Sequence, residues 1–447
     1  MVTLIFGILG AAAFSAFVYQ LSRNVLFGLY CLLTVNLLSV ALGFSQIMIG
    51  GLHLDAVDLV SLSLLAAGII RFLYRVRLPG GTRLIILAYI LVFGASLLRG
   101  IALFGVQSAS NDARGFVGGI LAMLYFFTAP TDPIAIKRIL TAYLYFGVGL
   151  VVVAILHYAG LNVGTVVVDE KDRALPSASG EIIALCFFIG LGWITHRKSP
   201  QILRWLLPIF AGMAIVLQHR TVWTVMAVCS TTILFIDFKL VRRLIPLAAL
   251  ASVIAVGLAV VIYGTGGEAS SQFEDSATNE GTWNWRVEAW QNSISDDTQT
   301  VSTMIFGQPM GSGYVRFDST TGGYENLPPH SEYIAQYLRV GILGLPLFLA
   351  FVVRPLLKLH ELQRKDPLAL FPSASVWCLI MIGIVVYGIT YSHDASAIAL
   401  VGIANSALLS IESNQLVEHE FMCPVGTALG SADISSMETV LSLRSNS

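Results

Sequence analysis

The sequence predicts an all-α polytopic membrane protein. Three observations predict it: 56% of the 447 residues are hydrophobic, only 12% are charged, and the mean hydropathy is +0.77. Soluble domains carry about 25% charged residues. A net charge of −1 supplies no field that would draw nucleic acid, so that class of partner is set aside.

A helix crosses the ~30 Å hydrocarbon layer with about 20 apolar residues. Runs of that kind fall near 3–19, 25–43, 57–74, 84–104, 115–129, 139–158, 181–196, 203–218, 221–237, 244–263, 338–356, 373–391 and 395–411. They predict about 12–13 transmembrane helices. The chain then divides into N-terminal membrane helices (1–263), one large extracytoplasmic loop with short interfacial helices (264–337), and C-terminal membrane helices (338–411). Residues 412–447 form a polar, Ser-rich cytoplasmic tail with the composition of a disordered segment.

No basic stretch precedes the first run, which therefore reads as a retained helix rather than a cleaved signal. Orientation follows the Lys/Arg bias, because basic loops stay cytoplasmic. One set of alternate loops, with the tail, holds 18 of the 26 Lys and Arg residues. The other set holds Arg99, Arg114, Lys171, Arg173, Arg220, Arg286, Arg316 and Arg339, and is placed outside. Cys31, Cys186, Cys229 and Cys378 lie in apolar runs and Cys423 in the tail. No pair has metal-ligand or CxxC spacing, so they read as inert thiols.

Two outer loops are long: 159–180, and 264–337. In the second, "TWNWRVEAWQNSI" places Trp283, Val287, Trp290 and Ile294 on one face of a helix. Trp prefers the membrane interface, so this helix is expected to lie on the outer leaflet with Arg286 beside its apolar stripe. The following "FGQPMGSGY", Phe306 to Tyr314, lacks the Lys-Ser/Thr of a phosphate-binding loop and reads as a flexible turn.

The middles of the expected spans carry almost no charge, whereas transporters place polar groups at mid-membrane. The chemistry collects at the outer surface. Arg220 sits in a short hairpin between apolar runs, Arg286 on the interfacial helix and Arg173 in the 159–180 loop. Singly, each reads as a snorkelling or solvated arginine. As a set, their forks suit phosphate oxygens better than lysines would.

His330 is the one histidine of the large loop, and it or Ser331 is placed to cap the next helix. A helix N-terminus favours a neutral imidazole, which a general base needs. Singly, it reads more readily as a structural histidine, and its context raises the alternative. His219, beside Arg220, and His393 are further outer-edge histidines. No carboxylate pair of glycosidase character, no HExxH and no serine-hydrolase frame is identifiable, so neither a metal nor a cofactor is called for.

Three segments carry a resemblance: "QHRTVW", "WRVEAWQNSI" with "FGQPMGSG", and "PHSEYIAQYLRVGILGLPLF". In order and spacing they resemble the O-antigen ligase and O-antigen polymerase superfamily of membrane glycosyltransferases. The likeness covers roughly residues 165 to 355; the first 160 resemble the family in hydropathy alone. It implies a many-helix fold with one periplasmic loop over a lipid-facing cavity, in a bacterial inner membrane. It implies an undecaprenyl-diphosphate-linked glycan donor, a glycan or lipid A core acceptor, membrane lipid around the site, and contact with other polysaccharide-assembly proteins. Arg220 and Arg286 match arginines that hold the diphosphate, Arg173 a looser arginine signal, and His330 the catalytic base. Ser331 stands where asparagine is commoner. The competing readings are a lipid-linked glycan flippase and a non-catalytic subunit of an assembly complex.

Overall fold

Apolar stretches cannot leave backbone N–H and C=O groups unpaired in hydrocarbon, so they close into helices. The computed structural model shows this along most of the chain. It describes residues 2–43, 47–49, 52–74, 80–129, 132–161, 163–164, 166–168, 171–194, 200–263, 281–295, 300–318 and 323–422.

Helix α1 (Val2–Arg23) gives way to α2 (Val25–Leu42) at Asn24, whose side chain accepts from the Phe27 N–H and starts the second helix. After α3 (Ala56–Tyr74) comes α4 (Gly80–Leu124), which bends at Gly105 with φ 83°. The two spans expected at 84–104 and 115–129 are thus joined by a glycine in a conformation that side chains rarely adopt. Asp132 caps α5 (Pro133–Tyr158). Helices α6 (Ser177–Trp193), α7 (Leu203–Val216), α8 (Arg220–Ile236) and α9 (Phe238–Tyr263) follow. The long loop holds α10 (Gly281–Ser295) and α11 (Val301–Phe306). The chain then continues through α12 (Glu332–Lys365), α13 (Ala374–Thr390) and α14 (Ala395–Met422).

Among the described residues, six helical stretches are long and apolar enough to cross a membrane: Val25–Leu42, Ala56–Tyr74, Gly81–Thr128, Pro133–Tyr158, Glu332–Lys365 and Ala395–Glu412. Five shorter apolar helices accompany them. The protein is a helical, multi-pass membrane protein. Large apolar side chains such as Leu91, Tyr145 and Phe235 stay exposed on the outside, as a surface facing lipid requires.

Three departures from the expected fold stand out. The connections are not purely helical: antiparallel hairpins pair β1 (Ile47–Ile49) with β2 (Leu52–Leu54), β3 (Val166–Val168) with β4 (Lys171–Arg173), and β5 (Val315–Asp318) with β6 (Gly323–Asn326). Strands this short carry too few residues for an alternating pattern to register. Helix α12 begins at Glu332, ahead of the expected 338, because Ser331 accepts from the Ile334 N–H and caps it. The last helix runs past 411 to Met422; the rest of the expected tail lies outside the described residues.

Residues 1–408 form one compact unit and residues 409–447 a second, whose described part is helical. Within the first, Cys186, Cys229 and Cys378 are buried free thiols and Cys31 is half-buried; Cys423 lies outside the described residues.

Side chains tie helix ends together. Arg71 of α3 donates to the Ser22 carbonyl and to Thr128, joining the ends of α1, α3 and α4. Arg354 of α12 donates to Thr82, and Gln363 to the Ile236 carbonyl, so the C-terminal ends of α8 and α12 meet the start of α4. At the other ends of α8 and α12 lies the candidate site.

Candidate functional site

There the N-termini of α6, α8 and α12 meet the C-terminus of α13. Tyr387 donates its hydroxyl to Ser177 (3.0 Å), the Thr221 and Thr390 hydroxyls lie 2.7 Å apart, and Ser331 donates to the Gly388 carbonyl (3.4 Å). Helix N-termini carry partial positive charge and unpaired N–H groups. Three of them at one place favour an anion before any charged side chain is counted.

Two of the residues singled out in the sequence share a partner. Arg286, on α10, donates to the Tyr391 hydroxyl at 2.8 Å, and its guanidinium lies 4.6 Å from the centre of that ring. Its Nε is buried without a hydrogen-bond partner among the described residues. The His330 ring stands 6.0 Å from Tyr391 on one side and 5.7 Å from Trp285 on the other. His330 has φ 46°, a left-handed conformation uncommon outside glycine. It is fixed from both sides: Trp290 donates its indole N–H to the Pro329 carbonyl at 2.5 Å, and Ser331 is already the cap of α12.

The other two arginines belong to neighbouring elements, Arg173 to β4 and Arg220 to the start of α8. Arg173 places a guanidinium nitrogen 3.4 Å from His219 Nδ1, and its Nε is also buried without a hydrogen-bond partner among the described residues. His219 Nε2 lies 3.0 Å from the Leu175 carbonyl. A carbonyl only accepts, so the proton sits on Nε2 and Nδ1 faces Arg173 bare. Burial, and then the Arg173 charge, push the His219 pKa down to about 4 against the opposing pull of that carbonyl. Arg220 is the next residue, the first of α8, and is half-buried. The Thr221–Thr390 contact joins this half to the Tyr391 half.

Behind Tyr391 lies a cluster to which the sequence reading gave no role. Tyr387 stacks on Tyr391 at 5.6 Å, and His393 lies 5.5 Å from Tyr387. His393 Nδ1 is 3.0 Å from Glu181 Oε1, both side chains being buried, and its backbone N–H donates to Glu332 at 3.4 Å. Burial alone would lower the His393 pKa. The carboxylates of Glu181, Glu332 and Asp394 outweigh burial and hold it above the usual histidine value. The interior is therefore less empty of charge than the sequence implied. Glu332 nevertheless sits in the first turn of α12 and Glu181 just beyond the first turn of α6, both toward the site's end of the bundle. In the sequence Glu332 lies in the polar island "HSEY" and His393 in "SHD", whereas Glu181 opens an apolar run after "SASG".

The Gly-rich segment read as flexible is pinned instead. Arg339 is fully buried, with Nε 2.8 Å from Asp112. Its other nitrogens donate to Ser312 and to the Gly313 carbonyl, both at 2.7 Å, and its guanidinium lies 4.1 Å from the Tyr314 ring centre. Asp112 in turn accepts the Gly311 N–H at 2.8 Å, and Arg99 donates to the Gly307 carbonyl. Backbones pack directly together here: a Cβ at Gly100 would strike the Met310 carbonyl, and one at Gly341 (φ 64°) the Ile305 carbonyl. The glycines allow close approach rather than freedom.

Of the stripe on α10, Trp283 and Ile294 stay exposed and Val287 and Trp290 are half-buried, while the fully buried positions are Ala289 and Ser293, outside it. Compared with known proteins, the chain matches no family model and no curated protein.

Proposed function

We propose that the protein is a membrane glycosyltransferase that takes glycan from an undecaprenyl-diphosphate carrier at the periplasmic face of a bacterial inner membrane. The observation that carries this reading is the meeting of Arg286 and His330 at Tyr391, with Arg173 and Arg220 on the adjoining side. Helix N-termini and guanidinium forks, among them those of Arg173 and Arg286 with a buried Nε unused among the described residues, suit a diphosphate.

In the proposed step His330 accepts the proton of an acceptor hydroxyl. That oxygen attacks the anomeric carbon, and the bond from that carbon to the diphosphate oxygen breaks. The electron pair leaves with the carrier, where Arg220 and Arg286 offset the growing charge. Arg173 holds the adjoining side through His219. Preorganised charge of this kind is usually the largest catalytic term. One displacement inverts the anomeric centre. The position of His330 at the mouth of α12 suits a bond held just above the lipid.

Purified protein, lipid-linked glycan and acceptor without ATP provide the test. New glycosidic bonds, absent with His330→Ala, support the reading. Carrier movement without a new bond supports the flippase reading, which draws on the buried Glu181–His393–Glu332 cluster. A deletion strain separates ligase from polymerase: long lipid-linked polymer accumulates without a ligase, single-repeat products without a polymerase.

A further inference from the structure

A cleft of about 260 Å³ opens beside the pinned loop and is distinct from the Tyr391 site. Ser293, Thr303, Gln308, Ser312, Tyr314 and Leu338 line it. None of these is charged. The guanidinium behind them, Arg339, is matched by Asp112 and spends its donors on Gln308, Ser312 and Gly313. The cleft therefore offers a phosphate nothing that the arginine site does not offer better.

What it does offer is neutral and mixed. Thr303 gives its hydroxyl proton to the Thr300 carbonyl, which turns its oxygen to accepting, and the Ser293 hydroxyl adds a second polar group to the lining. Gln308 uses its amide oxygen on Arg339 and keeps its N–H groups to donate. Tyr314 and Leu338 supply apolar surface. Acceptors, donors and apolar faces within one small cleft match a sugar ring, which presents hydroxyls at its rim and C–H groups on its faces.

Placement agrees with the chemistry. Ser293 lies seven residues beyond Arg286 on α10, and Leu338 six beyond Glu332 on α12. At ~1.5 Å per residue, each is about 10 Å along its helix from the transfer site. A glycan with its reacting end beside His330 passes the cleft a short run of units later.

We infer that this cleft is a subsite for neutral sugar units of the glycan. The inference rests on the glycosyltransferase reading for the identity of its ligand, while the cleft's occupancy is measured apart from catalysis. Donor and acceptor glycans share the recognising chemistry. The probe is carrier-free neutral oligosaccharide released from the organism's own envelope polysaccharide, titrated onto the full chain in nanodiscs. Thr303→Trp fills the cleft from α11, and Val315→Trp, at an exposed rim position, is the milder second variant.

Saturable binding that weakens about tenfold or more in both variants and persists in Arg286→Ala is the expected result. In turnover, the same variants raise the KM of whichever glycan occupies the cleft, donor or acceptor, with little change in kcat. No binding by the unaltered chain, or undiminished binding by both tryptophan variants, overturns the subsite. So does binding that vanishes with Arg286→Ala, since the sugar then sits at the arginines. Cleft binding without any transfer activity retains the subsite and removes the glycosyltransferase reading alone.

Discussion

Arg339 and Arg286 belong to the same end of the molecule and are used in opposite ways. Arg339 is wholly buried and matched by an opposite charge: Asp112 pairs with its Nε, and a hydroxyl, two carbonyls, a side-chain amide and an aromatic ring meet the rest of its fork. Arg286 is half-buried and left incomplete, with one hydrogen bond to a neutral phenol, one ring contact and a buried Nε without a hydrogen-bond partner among the described residues. A charge matched by an opposite charge is architecture. A charge held in place by neutral groups retains its capacity for a ligand. The contrast separates the wall of the site from its working surface without reference to any relative.

The largest effect tests the wall. Arg339→Ala leaves Asp112 buried and unmatched and is expected to cost ~3–5 kcal/mol of stability, read as a lowered melting temperature in detergent. Replacing both partners, Arg339→Met with Asp112→Leu, should restore most of it. A single substitution as stable as the parent would break the comparison at its first term.

The next effect falls on the working surface. His330→Ala should lower transfer by ~10²–10⁴-fold, the usual contribution of a general base, with melting nearly unchanged. Full turnover in that variant removes the base assignment. Arg286→Ala should weaken donor binding by ~1.5–3 kcal/mol, the worth of charged hydrogen bonds. Tyr391→Phe, which keeps the ring and loses the hydroxyl, should cost only ~1 kcal/mol. If Tyr391→Phe proves the more damaging of the two, Arg286 is a spectator.

The last effect is electrostatic, appears only as pH is changed, and concerns His219. Its folded pKa, about 4, lies below the ordinary 6.5. The unfolded chain therefore binds more protons between those values, so stability present above 6.5 is lost as pH falls toward 4. His219→Gln should flatten that part of the stability curve, which melting temperatures across this range would reveal. His393 has the opposite sign. Its raised pKa favours the folded state at low pH, and that contribution fades as pH climbs through the raised value.

Much of this could be read from the chain. Hydropathy marks membrane helices because hydrocarbon leaves the backbone no alternative. Arg220 and His330 stood out because each interrupts or borders an apolar run. The Arg339–Asp112 pair was not legible: its members are more than two hundred positions apart, and Arg339 read as one more outer charge. Tyr391 was hidden for a related reason, since a tyrosine at the end of a span is ordinary until Arg286 is seen against it. The Gly-rich segment misled because glycines permit both looseness and close approach, and only the neighbouring backbones decide between them.

Those neighbouring backbones also govern how substrate gets in. Residues 305–313 lie on Gly100 and Gly341 with main chain against main chain, and no rotamer there can swing aside to loosen the joint. The floor of the outer loop accordingly travels with α12 as one body. Gly281–Ser295 is fastened differently, through the side chains of Trp290 and Arg286. Such fasteners release singly, so under the proposed glycosyltransferase reading the roof rather than the floor is the expected door. A cross-link from α10 to α12 should then slow entry of a long glycan more than it slows the chemistry of one already bound.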